Sequence, residues 1–198
     1  MPKSVEKCKE IRAQTKELIL RKSILYFARN GFTGTKISDL AKYIGIAQGT
    51  IYIHFASKEA LFQEIHKRID RPKDIRGIKI LATLPIPAKQ KIHKMTKSII
   101  QQLVEDIDFA SVIVLNTQLF LEQNENYSTT DTTYQSEIYK YTIKMIEQGQ
   151  KEKTVVNGTP LKLADYYWGV VYLYALKKLF TTKYEMINSE DLERTILK

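Results

Sequence analysis

The 198-residue sequence contains a single cysteine, Cys8, so no disulfide can close within the chain. Its three histidines, His54, His66 and His93, are scattered, and none has a cysteine or carboxylate group beside it at zinc-binding spacing, which excludes a metal centre of the usual kind. The longest stretch without a charge, residues 43–57, is too polar and too short to span a bilayer, which takes about 18 or more apolar residues. The opening run MPKSVEKCKEIRAQTKE is charged and lacks an apolar centre, so it is neither a signal peptide nor a membrane anchor; the expected location is cytoplasmic. A glycine-rich phosphate loop, a nucleophile elbow and a carboxylate pair in apolar surroundings are all missing. This argues against an enzyme and gives no reason to expect a cofactor. No β-alternating run of useful length and no internal repeat occurs.

What is present is a globular composition, 43% hydrophobic, with an uneven basic charge. The net charge is +9; residues 1–71 carry 14 Lys/Arg against 7 Asp/Glu, and residues 72–198 carry 17 against 15. The basic excess therefore sits in the first third of the chain, where it favours a polyanionic partner.

That third is helical. Residues 9–30 form a long apolar-striped helix, with Leu18, Ile19, Lys22, Ile24, Leu25, Phe27 and Ala28 placed inward and Asn30-Gly31 as its stop. Ile37, Leu40, Ala41 and Ile44 recur at i, i+3, i+4 and i+7, predicting a helix over 36–44 with Thr35 as N-cap and Gly45 as the left-handed stop. A second short helix over 47–54 buries Ile51 and Phe55 and leaves Gln48, Gly49, Thr50 and Ile53 outward, a small uncharged end suited to a DNA major groove. Ser57 caps a fourth helix, 58–71, which ends at Pro72.

The runs GFTGT at 31–35, DLA at 39–41, GIAQGTIYIHF at 45–55 and SKEALF at 57–62 resemble the helix-turn-helix of tetracycline-repressor (TetR) type regulators, over about residues 16–65. Ala47 stands where a serine is common in that family, and Ile53 where an aromatic residue often touches DNA. The resemblance implies a helix-turn-helix domain at 9–56 and a ligand-binding and dimerisation domain at 57–198, with 57–71 as the connecting helix. It also implies that Gln48, Gly49 and Thr50 face base edges, and that Thr35, Lys36, Tyr52, His54 and Lys58 lie on phosphates of a pseudo-palindromic operator. On this basis Lys58→Ala is expected to weaken binding to all sequences alike. In the family resembled, the last two helices of each subunit form a four-helix dimer interface, and a small molecule displaces the fourth helix to change the spacing of the two reading heads.

The remainder also reads as helical, so the predicted fold is all-α: a three-helix reader, a connecting helix and a larger C-terminal bundle. Residues 72–87, interrupted by Pro72 and by Pro85 and Pro87, are expected to form a connector with at most one short helix. Apolar repeats over 92–107 and 109–120, a helix at 132–150 and one at 160–182 follow, with a last short one at 189–198. Met95, Phe109, Asn116 and Phe120 lie on faces that can converge with Tyr134, Tyr141, Met145 and Trp168. Such a set can line a pocket with an apolar floor and hydroxyl handles, or be plain core. The uncharged interior at 166–176 makes a helix apolar all round, which predicts a subunit interface through Trp168, Val171, Tyr172, Ala175, Leu176 and Leu179. The expected function is a homodimeric, sequence-specific repressor of transcription, released from double-stranded DNA by a small, largely apolar effector. The alternative is a ligand-insensitive DNA-binding protein with a structural or assembly role.

Overall fold

A computed structural model of the chain describes residues 2–69, 72–121 and 137–198. Among them lie ten helices and one isolated β-bridge, between Val155 and Leu197, so the fold is all-α. The chain divides into two compact units, Met1–Asp70 and Arg71–Lys198.

The first unit comprises α1 (Pro2–Asn30), α2 (Ile37–Ile44), α3 (Gln48–His54) and α4 (Lys58–Ile69), the last assigned by the sequence to 57–198. Helix α1 starts well before the predicted residue 9, and its inward face differs from the predicted one. Ile19, Leu20, Ser23, Ile24, Phe27 and Ala28 are buried, while Leu18 and Lys22 are exposed. At 100° per residue, Leu18, Lys22 and Leu25 fall on the far side of the helix. The helix has two apolar stripes, and packing against α2 and α4 uses one of them. Phe27, Phe32 and Phe62 close the centre, with Phe27 and Phe62 edge-to-face at 5.1 Å between centroids. Ser57 caps α4 as predicted, its Oγ accepting from the Ala60 N–H at 3.1 Å.

The second unit holds α5 (Pro72–Thr83), α6 (Ala88–Glu105), α7 (Ile107–Leu121), α8 (Glu137–Lys151), α9 (Pro160–Phe180) and the short α10 (Ser189–Glu193). The expected connector at 72–87 is instead mostly the full helix α5, because Pro72 occupies its first position, where a missing N–H costs nothing. Helix α8 packs on α5 and α9, and α9 on α7, with α6 across them. Ile92, Met95, Ile99 and Leu103 of α6 are buried, as are Tyr141, Met145 and Ile146 of α8, and the two helices pack together. A polar chain anchored on the buried Lys91 fastens the turn between α5 and α6 onto α8. Lys91 Nζ donates to the Ala82 carbonyl (2.9 Å) and to Gln148 Oε1 (2.8 Å), and Gln148 Nε2 donates to the Ile86 carbonyl (3.0 Å). Glu152 Oε2 completes it by accepting from the Ala88 N–H at 2.8 Å, which satisfies an orphan donor at the start of α6.

Helix α9 is not covered all round. Leu163, Ala164, Tyr167, Val171, Ala175 and Leu179 are buried within the subunit, and Tyr166, Leu173 and Phe180 are exposed on the opposite side. Val171, Ala175 and Leu179 are thus core residues and not interface residues. The reason is geometric: a helix apolar on every side reveals no facing direction in its sequence, and here α7 and α8 take the side through 171 and 175.

Candidate nucleic-acid interface

The turn between α2 and α3 is set by Gly45, which has φ +86° and donates its N–H to the carbonyls of Ala41 (2.9 Å) and Lys42 (3.2 Å). Only glycine takes that conformation without cost, and it directs the chain so that Ile46 N–H also reaches the Ala41 carbonyl at 3.0 Å. Ile37, Leu40 and Ala41 of α2 and Ile51 of α3 are buried, and Phe55 seals the end. The outer face of α3 therefore holds Gln48, Gly49, Tyr52 and Ile53, all exposed, with Thr50 half-buried beside them. A Cβ built on Gly49 would meet nothing within 4 Å, so no contact inside the chain demands a glycine there.

The residues expected on phosphates divide into two groups. Lys36, Tyr52 and half-buried His54 lie at the accessible rim of α2 and α3. Thr35 and Lys58 have internal duties. Thr35 is 3% exposed, and its hydroxyl donates to the Gly31 carbonyl at 2.6 Å; Lys36, not Thr35, occupies the N-cap position of α2, with no side-chain cap. Lys58 Nζ donates to the Phe32 carbonyl (3.0 Å) and the Thr35 carbonyl (3.1 Å) and sits 4.4 Å from the Phe32 ring centroid. These long-range contacts to the turn between α1 and α2 are invisible in the local pattern, and they use two of the three Lys58 N–H groups.

His54 is held below the ordinary imidazole pKa, first by partial burial and then by the positive charges of Arg12 and Lys16. The ring is neutral at pH 7 and offers a phosphate an N–H donor without a formal charge. Arg12 and Lys16, which were not among the predicted contacts, thus stand near the end of α3; Lys16 Nζ lies 5.6 Å from the Phe55 ring centroid. The spacing of their charges along α1 was the available signal. Tyr43, also not among the predicted contacts, is exposed on α2 with its ring centroid 5.1 Å from that of Tyr26.

In the second unit, Met95, Tyr141 and Met145 are buried. Half-buried Trp168 joins them through Thr142: its Nε1 donates to Thr142 Oγ1 (3.2 Å), which lies 4.0 Å from Met95 Sδ. Next to it Tyr167 is fully buried, its hydroxyl 2.9 Å from Thr96 Oγ1, and burial pushes its pKa far up. Phe109 is half-buried on α7. Asn116 is exposed and does not belong to the group, because α7 turns Ala110, Ser111, Val114 and Leu115 inward instead. The Phe120 side chain and all of Tyr134 lie outside the described residues. An open groove of about 320 Å³ on the α6 surface is lined by Lys89, Gln90, His93, Lys94 and Glu193 and includes none of the predicted ligand residues. Of the predicted interface set, Trp168, Tyr172 and Leu176 are half-exposed. No described helix is long and apolar enough to cross a membrane, and no metal-binding cluster occurs among the described residues.

Residues 19–65 match the family model described as bacterial regulatory proteins, tetR family. The uncharacterized HTH-type transcriptional regulator YerO of Bacillus subtilis is 28% identical over 121 residues, which is 57% of this chain and 38% of that protein. IcaR of Staphylococcus aureus, named the HTH-type negative transcriptional regulator of the biofilm operon icaADBC, is 33% identical over 49 residues, 25% of this chain and 26% of its own length. The chain thus matches well under two thirds of either relative. In fold, it is similar to a TetR-family transcriptional regulator from Agrobacterium tumefaciens, with a TM-score of 0.61 at 16% identity, covering 92% of this chain and 98% of that one. The helix-turn-helix segment of this chain, residues 19–65, is thus that of the tetR family of bacterial regulatory proteins, and the all-helical fold around it is shared with a solved regulator of that family.

Proposed function

We propose that this protein is a homodimeric, sequence-specific DNA-binding repressor whose operator affinity falls when a small, largely apolar molecule binds the second unit. The observation that carries the DNA part is the outer face of α3: exposed Gln48 and Tyr52 around a glycine whose missing side chain no internal contact explains. Gln48 pairs bidentately with adenine, and Gly49 permits close approach of the helix backbone. Lys36, Tyr52 and His54 take phosphates, while Thr35 and Lys58 act by holding the turn that presents them. The negative sense of regulation draws on the relative named a negative regulator.

Dimerisation uses the exposed side of α9. Tyr166, Gly169, Leu173, Leu176 and Phe180 follow one another at three and four residues, an apolar seam along the whole helix, flanked by Trp168 and Tyr172. Two-fold symmetry doubles the few bases one short helix can read and sets the two α3 helices about one helical turn, roughly 34 Å, apart on a pseudo-palindrome. The effector site is the group around Met95, Tyr141, Met145 and Trp168. An effector changes operator affinity only by its differential affinity for the two arrangements, typically about 5–150-fold. One observation favours the ligand-insensitive reading: Trp168 and Thr142 are already hydrogen-bonded to protein partners.

The test is selection of duplexes bound by the full chain from a random pool, followed by titration of apolar compounds. A palindromic consensus, and compounds that perturb Trp168 fluorescence while releasing that duplex at the same concentrations, support the proposal. No enrichment of any sequence overturns it; fluorescence changes without DNA release leave the ligand-insensitive protein.

A further inference from the structure

Helix α1 continues for several turns beyond the core it helps to form. Its buried residues begin at Ile19, whereas residues 6–14 are exposed and Thr15 and Lys16 half-buried. A helical segment that packs against nothing gains no burial to offset its ordering entropy, so its charge pattern is informative. Lys9, Arg12 and Lys16 recur at i, i+3 and i+7 on one face, and the same line continues through Ile19, Ser23 and Phe27 into the core. The acidic residues Glu6, Glu10 and Glu17 lie on a separate face, where Glu17 is paired with Arg68 of α4. Segregation of this kind is not what stabilises a solvated helix. Arg12 with Lys16 and Glu6 with Glu10 are like-charged i,i+4 pairs, each mildly unfavourable. Among the described residues Lys9 and Arg12 enter no ion pair, while Lys16 makes one loose, solvent-exposed pair with Glu64 of α4 at 3.7 Å. The basic face starts at the C-terminal end of α3, where Lys16 lies against Phe55 and where Arg12 and Lys16 act together on His54. From there to Lys9 the helix advances about 10 Å, roughly three base-pair steps.

We propose that the N-terminal half of α1 is a second DNA-binding element, in which Lys9, Arg12 and Lys16 lie along the phosphate backbone flanking the bases read by α3. The inference rests on the DNA-binding reading above and extends the footprint of each subunit without adding base specificity. Every phosphate neutralised releases condensed counterion, so the contribution appears in the salt dependence of binding.

The experiment measures the affinity of the full chain for a duplex selected by the wild type, between 50 and 200 mM salt, for Lys9→Ala, Arg12→Ala and, on the opposite face, Lys7→Ala. Lys9→Ala and Arg12→Ala are each expected to lower the salt slope by about 0.9 per subunit, so that the wild type loses about 3.5-fold more affinity per contact across that range. Lys7→Ala is expected to leave the slope unchanged, and Arg12→Lys to restore it. Unaltered thermal unfolding of the variants checks that α1 and its core are intact. Trimming the duplex to the selected bases alone should abolish the difference between wild type and Arg12→Ala. Equal effects of all three alanine variants would reduce the result to net charge and overturn the proposal, as would no effect of any. Failure of the wild type to bind any duplex instead removes the DNA-binding reading on which the proposal stands.

Discussion

Lys58 separates a structural from a nucleic-acid role most sharply. Its amino group bonds two backbone carbonyls of the turn between α1 and α2 and lies against the Phe32 ring, at 3.0, 3.1 and 4.4 Å respectively. Hydrogen bonds from a charged donor are worth about 1.5–3 kcal/mol each when buried. The site is half-buried, so water recovers part of that in the Lys58→Ala variant, and each bond is set at about 1 kcal/mol. The ring contact adds about 0.5–1 kcal/mol. The expected loss is about 2.5–3 kcal/mol, a large share of the stability of a small unit, and equals a fall in the urea midpoint of about 1.2–1.5 M for a slope near 2 kcal/mol/M. Lys36→Ala is the counterpart: Lys36 is exposed, so stability should hold while the salt slope of DNA binding falls by about 0.9 per subunit. For Lys58→Ala the slope should hold while the midpoint falls. An unchanged urea midpoint together with a slope reduced by about 0.9 would refute this reasoning and return Lys58 to the phosphate backbone.

Gln48→Ala should relax base preference at one position in each half-site at a cost of about 1–3 kcal/mol, measured by repeating the duplex selection; an identical consensus counts against bidentate reading. Leu173→Glu should give monomers in sedimentation velocity without loss of helicity, because Leu173 is 47% exposed within the subunit; Val171→Glu should unfold the second unit instead. Tyr167→Phe leaves the Thr96 hydroxyl buried without its partner and should cost about 1–3 kcal/mol in thermal or urea unfolding, and a neutral result would mean that Thr96 finds another hydrogen-bond partner.

The helix-turn-helix was legible because its signals are local: Ile37, Leu40 and Ala41 bury one stripe, and Gly45 closes α2 in the left-handed conformation. The direction in which α1 and α9 face was not. Both carry apolar residues on two sides, and which side turns inward depends on helices distant in sequence, so Leu18 and Val171 exchange the roles their spacing predicts. Thr35 fails for a related reason: α2 begins one residue later than its spacing predicts, so Lys36 takes the N-cap position and the Thr35 hydroxyl donates to the Gly31 carbonyl instead. The chain from Lys91 through Gln148 to Glu152 spans some sixty residues of sequence and obeys no periodicity at all. Its only trace in the sequence is a lysine on an otherwise apolar face.

Three exposed glycines lie inside helices with open space where a Cβ would stand: Gly49 on α3, Gly77 on α5 and Gly169 on α9. Glycine in a helix costs up to about 1 kcal/mol relative to alanine, so in the isolated subunit each Gly→Ala change should be neutral or stabilising. Gly149 is the contrasting case, since its Cβ would stand 2.3 Å from Val155 Cγ2 and alanine there should destabilise. What distinguishes the open three is the partner assigned to each face. Gly49 faces DNA, Gly169 lies in the seam with Tyr166 and Leu173, and Gly77 has no assigned partner. Gly49→Ala should therefore weaken duplex binding without altering sedimentation, and Gly169→Ala should weaken the dimer by holding the two α9 helices apart. Gly77→Ala should raise stability and change neither. If Gly49→Ala and Gly169→Ala behave like Gly77→Ala in stability, duplex affinity and sedimentation alike, close approach by a partner is not the reason for either glycine, and both assigned faces lose their strongest local support.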